Sequence, residues 1–191
     1  MDIYKAHLRQ AFLKQFDDLG AKLEGLSSYD MRRPLVPTGT NLLGLVKHVG
    51  SITLGYLGGV FDRPADIELP WFAPDSEDDA DLWVTAEESN EQIFELYAAA
   101  RALAASTIDA LELDSPGFVP WWPPESAKVT LEQILVHVIA ETARHTGQAD
   151  IIRELIDGQA GRWQGDPSLT ENTPEQWATH RTRVEQAARD A

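Results

Sequence analysis

Apolar residues recur at three- and four-residue steps along most of the chain, which is the spacing of one helix face. Residues 3–24 carry Tyr4, Leu8, Phe12, Phe16, Leu19 and Leu23 on such a stripe. Gly25 and the run Leu26-Ser27-Ser28-Tyr29-Asp30 close it. After Pro34, Pro37 and Gly39, a second helix is expected to open at Thr40 or Asn41, either a suitable cap. Its stripe is Leu42, Leu45, Val49, Ile52, Tyr56 and Val60, ending near Phe61. Residues 62–84 read as irregular, with Pro64, Pro70, Pro74 and the acidic run Asp75-Ser76-Glu77-Asp78-Asp79. Unstructured connections of that length are uncommon in a compact domain and often functional. The third helix is expected from Thr85, with Glu88 as its capping-box partner, burying Ile93, Leu96, Tyr97, Ala100, Leu103, Ile108 and Leu111. A second connection, 112–129, holds Pro116-Gly117-Phe118 and Pro120-Trp121-Trp122-Pro123-Pro124. The fourth helix starts at Thr130 with Gln133 as partner and runs to about Asp157, before Gly158. At about 1.5 Å per residue it is roughly 40 Å long. A short last helix follows Thr173, with Pro174 first and Gln176 third. Strand-like alternation, repeats and sustained heptads are absent from the sequence. The pattern predicts an all-α four-helix bundle over 1–165, with 166–191 a helical appendage of the same domain.

Composition narrows what such a bundle can do. With 191 residues, the chain is expected to form one domain with a real core. Its 43% apolar content argues for a packed globule over a disordered acidic chain. The 31 acidic and 16 basic residues leave a formal charge of −15, which disfavours a nucleic-acid surface. Having no cysteine excludes disulfides, Cys-ligated zinc and iron–sulfur clusters. No apolar run reaches a membrane span, and Met1-Asp2-Ile3-Tyr4-Lys5 lacks the signature of a secretion signal. The expectation is a cytoplasmic protein acting on a small molecule, with neither nucleic acid nor membrane as partner.

The histidines supply the candidate chemistry. His48 lies on the apolar stripe of the second predicted helix, between Leu45 and Ile52. His145 follows Glu141 by four residues on the fourth, so carboxylate and imidazole share a face one turn apart. Val138 and Thr142 border that face and turn it toward the bundle interior. A buried carboxylate and a buried imidazole are each costly unless paired or bound to something. Two ligands a turn apart with a third from a facing helix is how bundles build metal sites. Two histidines and one carboxylate leave a coordination position open, a set that suits catalytic zinc and also non-haem iron. The spacing equally admits a plain i,i+4 pair beside a hydrogen-bonded core histidine. His137 extends the stripe by one turn, as a supporting residue. His7 and His180 read as ordinary surface or packing residues.

The segments Leu45-Val46-Lys47-His48-Val49 and Leu135-Val136-His137, continuing through Glu141-Thr142-Ala143-Arg144-His145-Thr146-Gly147-Gln148-Ala149-Asp150 to Gly158, resemble the DinB/YfiT-like superfamily. Within it they are similar to the branch that includes the N-terminal domain of mycothiol-dependent maleylpyruvate isomerase. The likeness spans roughly residues 4–165. Many members have three histidine ligands, and in this branch Glu takes the place of the first on the last helix. The resemblance therefore implies His48, Glu141 and His145 as ligands of a divalent metal ion, zinc first, with nickel, iron or manganese as alternatives. Where relatives often carry His or Gln three positions after the last ligand, this chain has Gln148, which the resemblance places as a polar residue of the pocket. Relatives include metal-dependent transferases and isomerases that use a low-molecular-weight thiol such as mycothiol or bacillithiol. The metal would lower the thiol pKa and present a thiolate. The isomerase has a further C-terminal domain for which this chain is too short, so isomerisation of that substrate is not expected, and the resemblance implies a thiol-dependent transferase or isomerase acting on another.

The remaining features take two readings each. Trp121 and Trp122 are either an aromatic wall over the metal pocket, contacting the thiol co-substrate, or a loop packed onto the bundle. Trp71-Phe72 are read the same way. Arg144 points about 100° away from His145 around the helix and reads as a surface residue or as a contact for a substrate carboxylate. The acidic run 75–79 reads as a solvated loop. The alternative function is a non-catalytic metal-binding or stress-response bundle, its coordination closed by a fourth protein ligand, with His137 the nearest. A homodimer through helix faces is compatible with both.

Overall fold

The computed structural model describes residues 3–163 and 165–191; Met1 and Asp2, at the start of the stretch read for a secretion signal, and Gln164 lie outside them. Among the described residues the fold is mainly helical. The helices are α1 (Ile3–Ala21), α2 (Ser28–Arg32), α3 (Leu42–Leu57), α4 (Asn90–Ala110), α5 (Leu131–Asp157) and α6 (Pro174–Arg189). Two short strands, β1 (Pro116–Phe118) and β2 (Lys128–Thr130), complete it. α1 packs on α5, α3 packs on α4, and α3 meets α5 across the seam between the two pairs. The expected four long helices are therefore present as α1, α3, α4 and α5.

Local signals explain most boundaries. Asn41 caps α3 by accepting the Gly44 amide at 2.8 Å. Thr130 and Gln133 form a capping box at the start of α5, and Gly158, in the left-handed region at φ 79°, ends it. Thr173, Pro174 and Gln176 open α6 as their types predict. α6 has no buried residue.

The core lies between the helix pairs. Phe12, Phe16 and Leu19 of α1 meet Leu42, Leu45 and Val49 of α3, Ile93 and Ala100 of α4, and Ile134, Leu135 and Val138 of α5. Phe16 stacks on Tyr97 with ring centroids 3.8 Å apart and planes 14° from parallel. The Tyr97 hydroxyl donates to the Phe16 carbonyl at 2.7 Å. Tyr97 fits there because Gly20 and Gly50 flank it; a Cβ at either would stand 3.2 Å from the ring.

Four expectations need correction. The third long helix starts at Asn90, not Thr85. Glu88 does accept the Thr85 amide at 2.7 Å, as a capping box would. The carbonyls of Thr85 and Glu88, however, are taken by the Arg32 guanidinium at 2.8 and 2.7 Å, and Ser89 with Gln92 forms the working box. The connection 112–129 is not strand-free. β1 and β2 pair antiparallel with Gly117 opposite Val129. Strands of three residues are too short to show alternation, and Gly117 is needed because a Cβ there would lie 2.7 Å from Phe61. Finally, the run read only as closing the first helix forms α2, capped by Ser27, which accepts the Asp30 amide at 3.1 Å. The second predicted helix also ends earlier, at Leu57, with Gly59–Phe61 continuing as a 3₁₀ turn.

No helix among the described residues is long and apolar enough to cross a membrane.

Candidate metal centre

α3 and α5 bring His48, Glu141 and His145 together at the seam. One ligand atom from each lies within 4.8 Å of the others. His145 Nε2 is 3.0 Å from Glu141 Oε1, and His48 Nε2 is 3.8 Å from the same oxygen. The two imidazoles meet edge to face, 4.7 Å between centroids. His145 is buried, whereas His48 and Glu141 are half-buried, so the group is open on one side.

The outer ring nitrogens are both engaged. His48 Nδ1 lies 2.5 Å from Asp81 Oδ2, and His145 Nδ1 lies 2.8 Å from Gln148 Oε1. A carboxylate and an amide oxygen can only accept, so both Nδ1 atoms donate. Each imidazole then turns Nε2 toward Glu141. A bare Nε2 lone pair and a carboxylate oxygen repel at 3.0 Å unless a proton or a cation lies between them. Two imidazoles, a carboxylate and outer partners on both rings form the donor set that divalent ions of the zinc class take. These residues fit a metal ion by their own chemistry.

Charge at the group follows from its neighbours. Burial alone would raise the Glu141 carboxyl. The hydrogen bond and charge of His145, with the charges of His48 and His137, outweigh it and bring the carboxyl below its ordinary value. For Asp81, burial likewise raises, and the hydrogen bond and charge of His48, its own backbone amide and Lys47 more than reverse it. Both carboxyls stabilise the fold while ionised. That contribution is fully present above their ordinary values of 3.8 and 4.5, and is lost as pH falls through the lower values held in the folded chain. Urea midpoints of the metal-free protein are expected to fall on acidification from about pH 5 to about pH 3, and Asp81→Asn to flatten that limb. An acid limb unchanged by Asp81→Asn would contradict it.

Of the other expected residues, Gln148 touches this group directly. Gln148 is exposed except for its grip on His145. The indoles of Trp121 and Trp122 both donate to the Tyr56 hydroxyl, at 3.2 and 3.0 Å. His137 turns its ring to Tyr56 and Trp122, with centroids at 4.7 and 5.0 Å, and is not in the metal-holding group. The tryptophans are thus fastened to the bundle, while Trp121 keeps 54% of its surface exposed. Trp71 donates to Ser51 Oγ at 3.0 Å, and Phe72 is half exposed. Arg144, His7 and His180 are exposed, as are the acidic residues of 75–79. Asp81 and Tyr56 are the residues that sequence reasoning passed over as site residues. Asp81 sits in the irregular 62–84 connection, whose length was its only signal.

Comparison with known proteins gives a family and a likeness of fold. A family model described as mycothiol-S-transferase matches residues 7–158, which include all the residues just named as metal-holding or supporting. A solved structure, described as the conserved protein of locus from Enterococcus faecalis, superposes with a TM-score of 0.63 at 19% identity. The match covers 83% of this chain and 99% of that one, a likeness of fold. No curated protein matches the sequence.

Proposed function

Because the chain belongs to the mycothiol S-transferase family, a DinB/YfiT-like family, we propose that it is a divalent-metal-dependent transferase joining a thiol of the mycothiol type to a small electrophile. The carrying observation is the convergence of His48, Glu141 and His145, with both outer ring nitrogens anchored. These three would hold the ion, zinc being the first choice. Bound there, the ion would lower the thiol pKa so that a thiolate is available near neutral pH.

The chain's own residues do the rest. Asp81 and Gln148 fix the imidazoles with Nε2 inward, so the ligand set is oriented before anything binds. Having no cysteine, the protein takes its sulfur from the co-substrate. Trp121, open over half its surface and steadied by Tyr56, offers the electrophile or the thiol an aromatic face. The placement of His137 favours an enzyme over a closed structural site: its ring packs on Tyr56 and Trp122, and it is not in the group of three that could hold the ion.

The test is consumption of free mycothiol in the presence of an electrophile such as an enone or alkyl halide. Conjugation is expected to exceed the protein-free rate, to stop with a chelator and to return with zinc. Conjugation indifferent to the chelator, or none with any thiol tried, would count against the reading.

A further inference from the structure

Residues 80–83 of the long connection lie along one face of α3 formed by Gly44, Lys47 and His48. Lys47 is 1% exposed. Its ammonium donates to the carbonyls of Ala80 and Trp83, both at 2.9 Å, and pairs with Glu88 Oε1 at 2.7 Å. Those three acceptors use all three of its N–H groups. The ring of Trp71 covers it, 4.2 Å from Nζ to centroid. A buried ammonium is costly unless compensated in this way, so cation and strap hold each other in place. Gly44 lets the strap come this close: a Cβ there would fall 1.9 Å from the Leu82 carbonyl oxygen. Between the two carbonyls that Lys47 holds sits Asp81, on His48 Nδ1.

We infer that Lys47 is a positioning residue for the metal-holding group: it fastens the 80–83 strap to α3 so that Asp81 fixes the imidazole of His48. The inference rests on reading His48, Glu141 and His145 as metal-holding. Lys47 touches none of the three through its ammonium and acts only through Asp81. Within itself the strap is a string of turns closed by bonds such as Leu82 N–H to Asp79 O at 2.8 Å, and besides Lys47 and His48 it is met by Asn41, whose Nδ2 lies 3.5 Å from the Leu82 carbonyl oxygen.

The experiment is a double-mutant cycle on the full chain, with zinc affinity read by chelator competition. Lys47→Met and Asp81→Ala are each expected to weaken zinc by about 10- to 100-fold. The double variant is expected to be no weaker than the worse single one, because both changes remove the same contact. Losses that multiply, or a Lys47→Met protein that binds zinc as the wild type does, would overturn the inference. A second readout needs no metal. In ¹⁵N-labelled metal-free protein, the hydrogen-bonded Nδ1–H signal of His48 is expected to be lost in Lys47→Met as in Asp81→Ala. Should the wild type bind no zinc, the metal reading fails and this signal alone decides: its loss supports Lys47 as the anchor, its retention overturns that role. Should Lys47→Met not fold, Glu88→Ala removes one of the three acceptors. The same two readouts are then expected to move the same way, and no change in either would overturn the proposal.

Discussion

Replacing His48 or His145 by alanine is expected to empty the protein of its divalent ion. A site that holds its metal with roughly 10–16 kcal/mol through about four ligands gives up a few kcal/mol with each one removed. That is about a hundred- to thousandfold in affinity per histidine. Elemental analysis after gel filtration reads it directly: near-stoichiometric ion in the wild type, little in either variant, none in the pair. The fold is expected to survive, because His48 is half-buried, neither imidazole belongs to the apolar core, and α3 and α5 meet through other contacts. Circular dichroism of the variants in the presence of chelator checks this. Full retention of the ion by the double variant would remove the ligand assignment.

Phe16→Ala is expected to give the largest loss of stability. Phe16 is fully buried and stacks on Tyr97, whose hydroxyl is bonded to the Phe16 carbonyl, so truncation leaves a cavity and a large ring without its partner. Truncating a buried Phe costs about 3–5 kcal/mol. In a domain of this size that corresponds to a Tm lowered by roughly 10 °C. Phe72→Ala provides the contrast: its side chain is half exposed, and the change should stay within about 1 kcal/mol. Urea unfolding of both variants, with metal removed, decides it; equal losses would mean the core is not organised around the Phe16–Tyr97 stack.

Where an element is made by its own residues, the sequence made it legible. α5 is bounded by Thr130 with Gln133 at one end and Gly158 at the other, and all three act locally. The start of α4 was not legible from Thr85 and Glu88, because Arg32, far off in the chain, captures the carbonyls the helix would have used. The hairpin was hidden for a related reason: its three-residue strands are held by pairing and by Phe61, and carry no periodic signal. The site divides the same way. Glu141 and His145 stand out because a helix puts four-residue neighbours on one face, and His48 because it interrupts an apolar stripe. Their convergence needed the resemblance in addition to spacing. Asp81 depends on a strap with no regular structure, held from a neighbouring helix by Lys47, and no local pattern announces such a contact.

The two-pair layout of the bundle bears on the order of events as the chain folds. Glu141 and His145 are neighbours as soon as that turn of α5 exists, whereas His48 comes from the other pair of helices, far away in the sequence. An ion meeting the nascent chain therefore finds two ligands early and the third only when α3 closes on α5. If the group holds an ion as proposed, tight capture would coincide with closure of the seam, and the ion would act as a late rivet that slows reopening more than it speeds assembly.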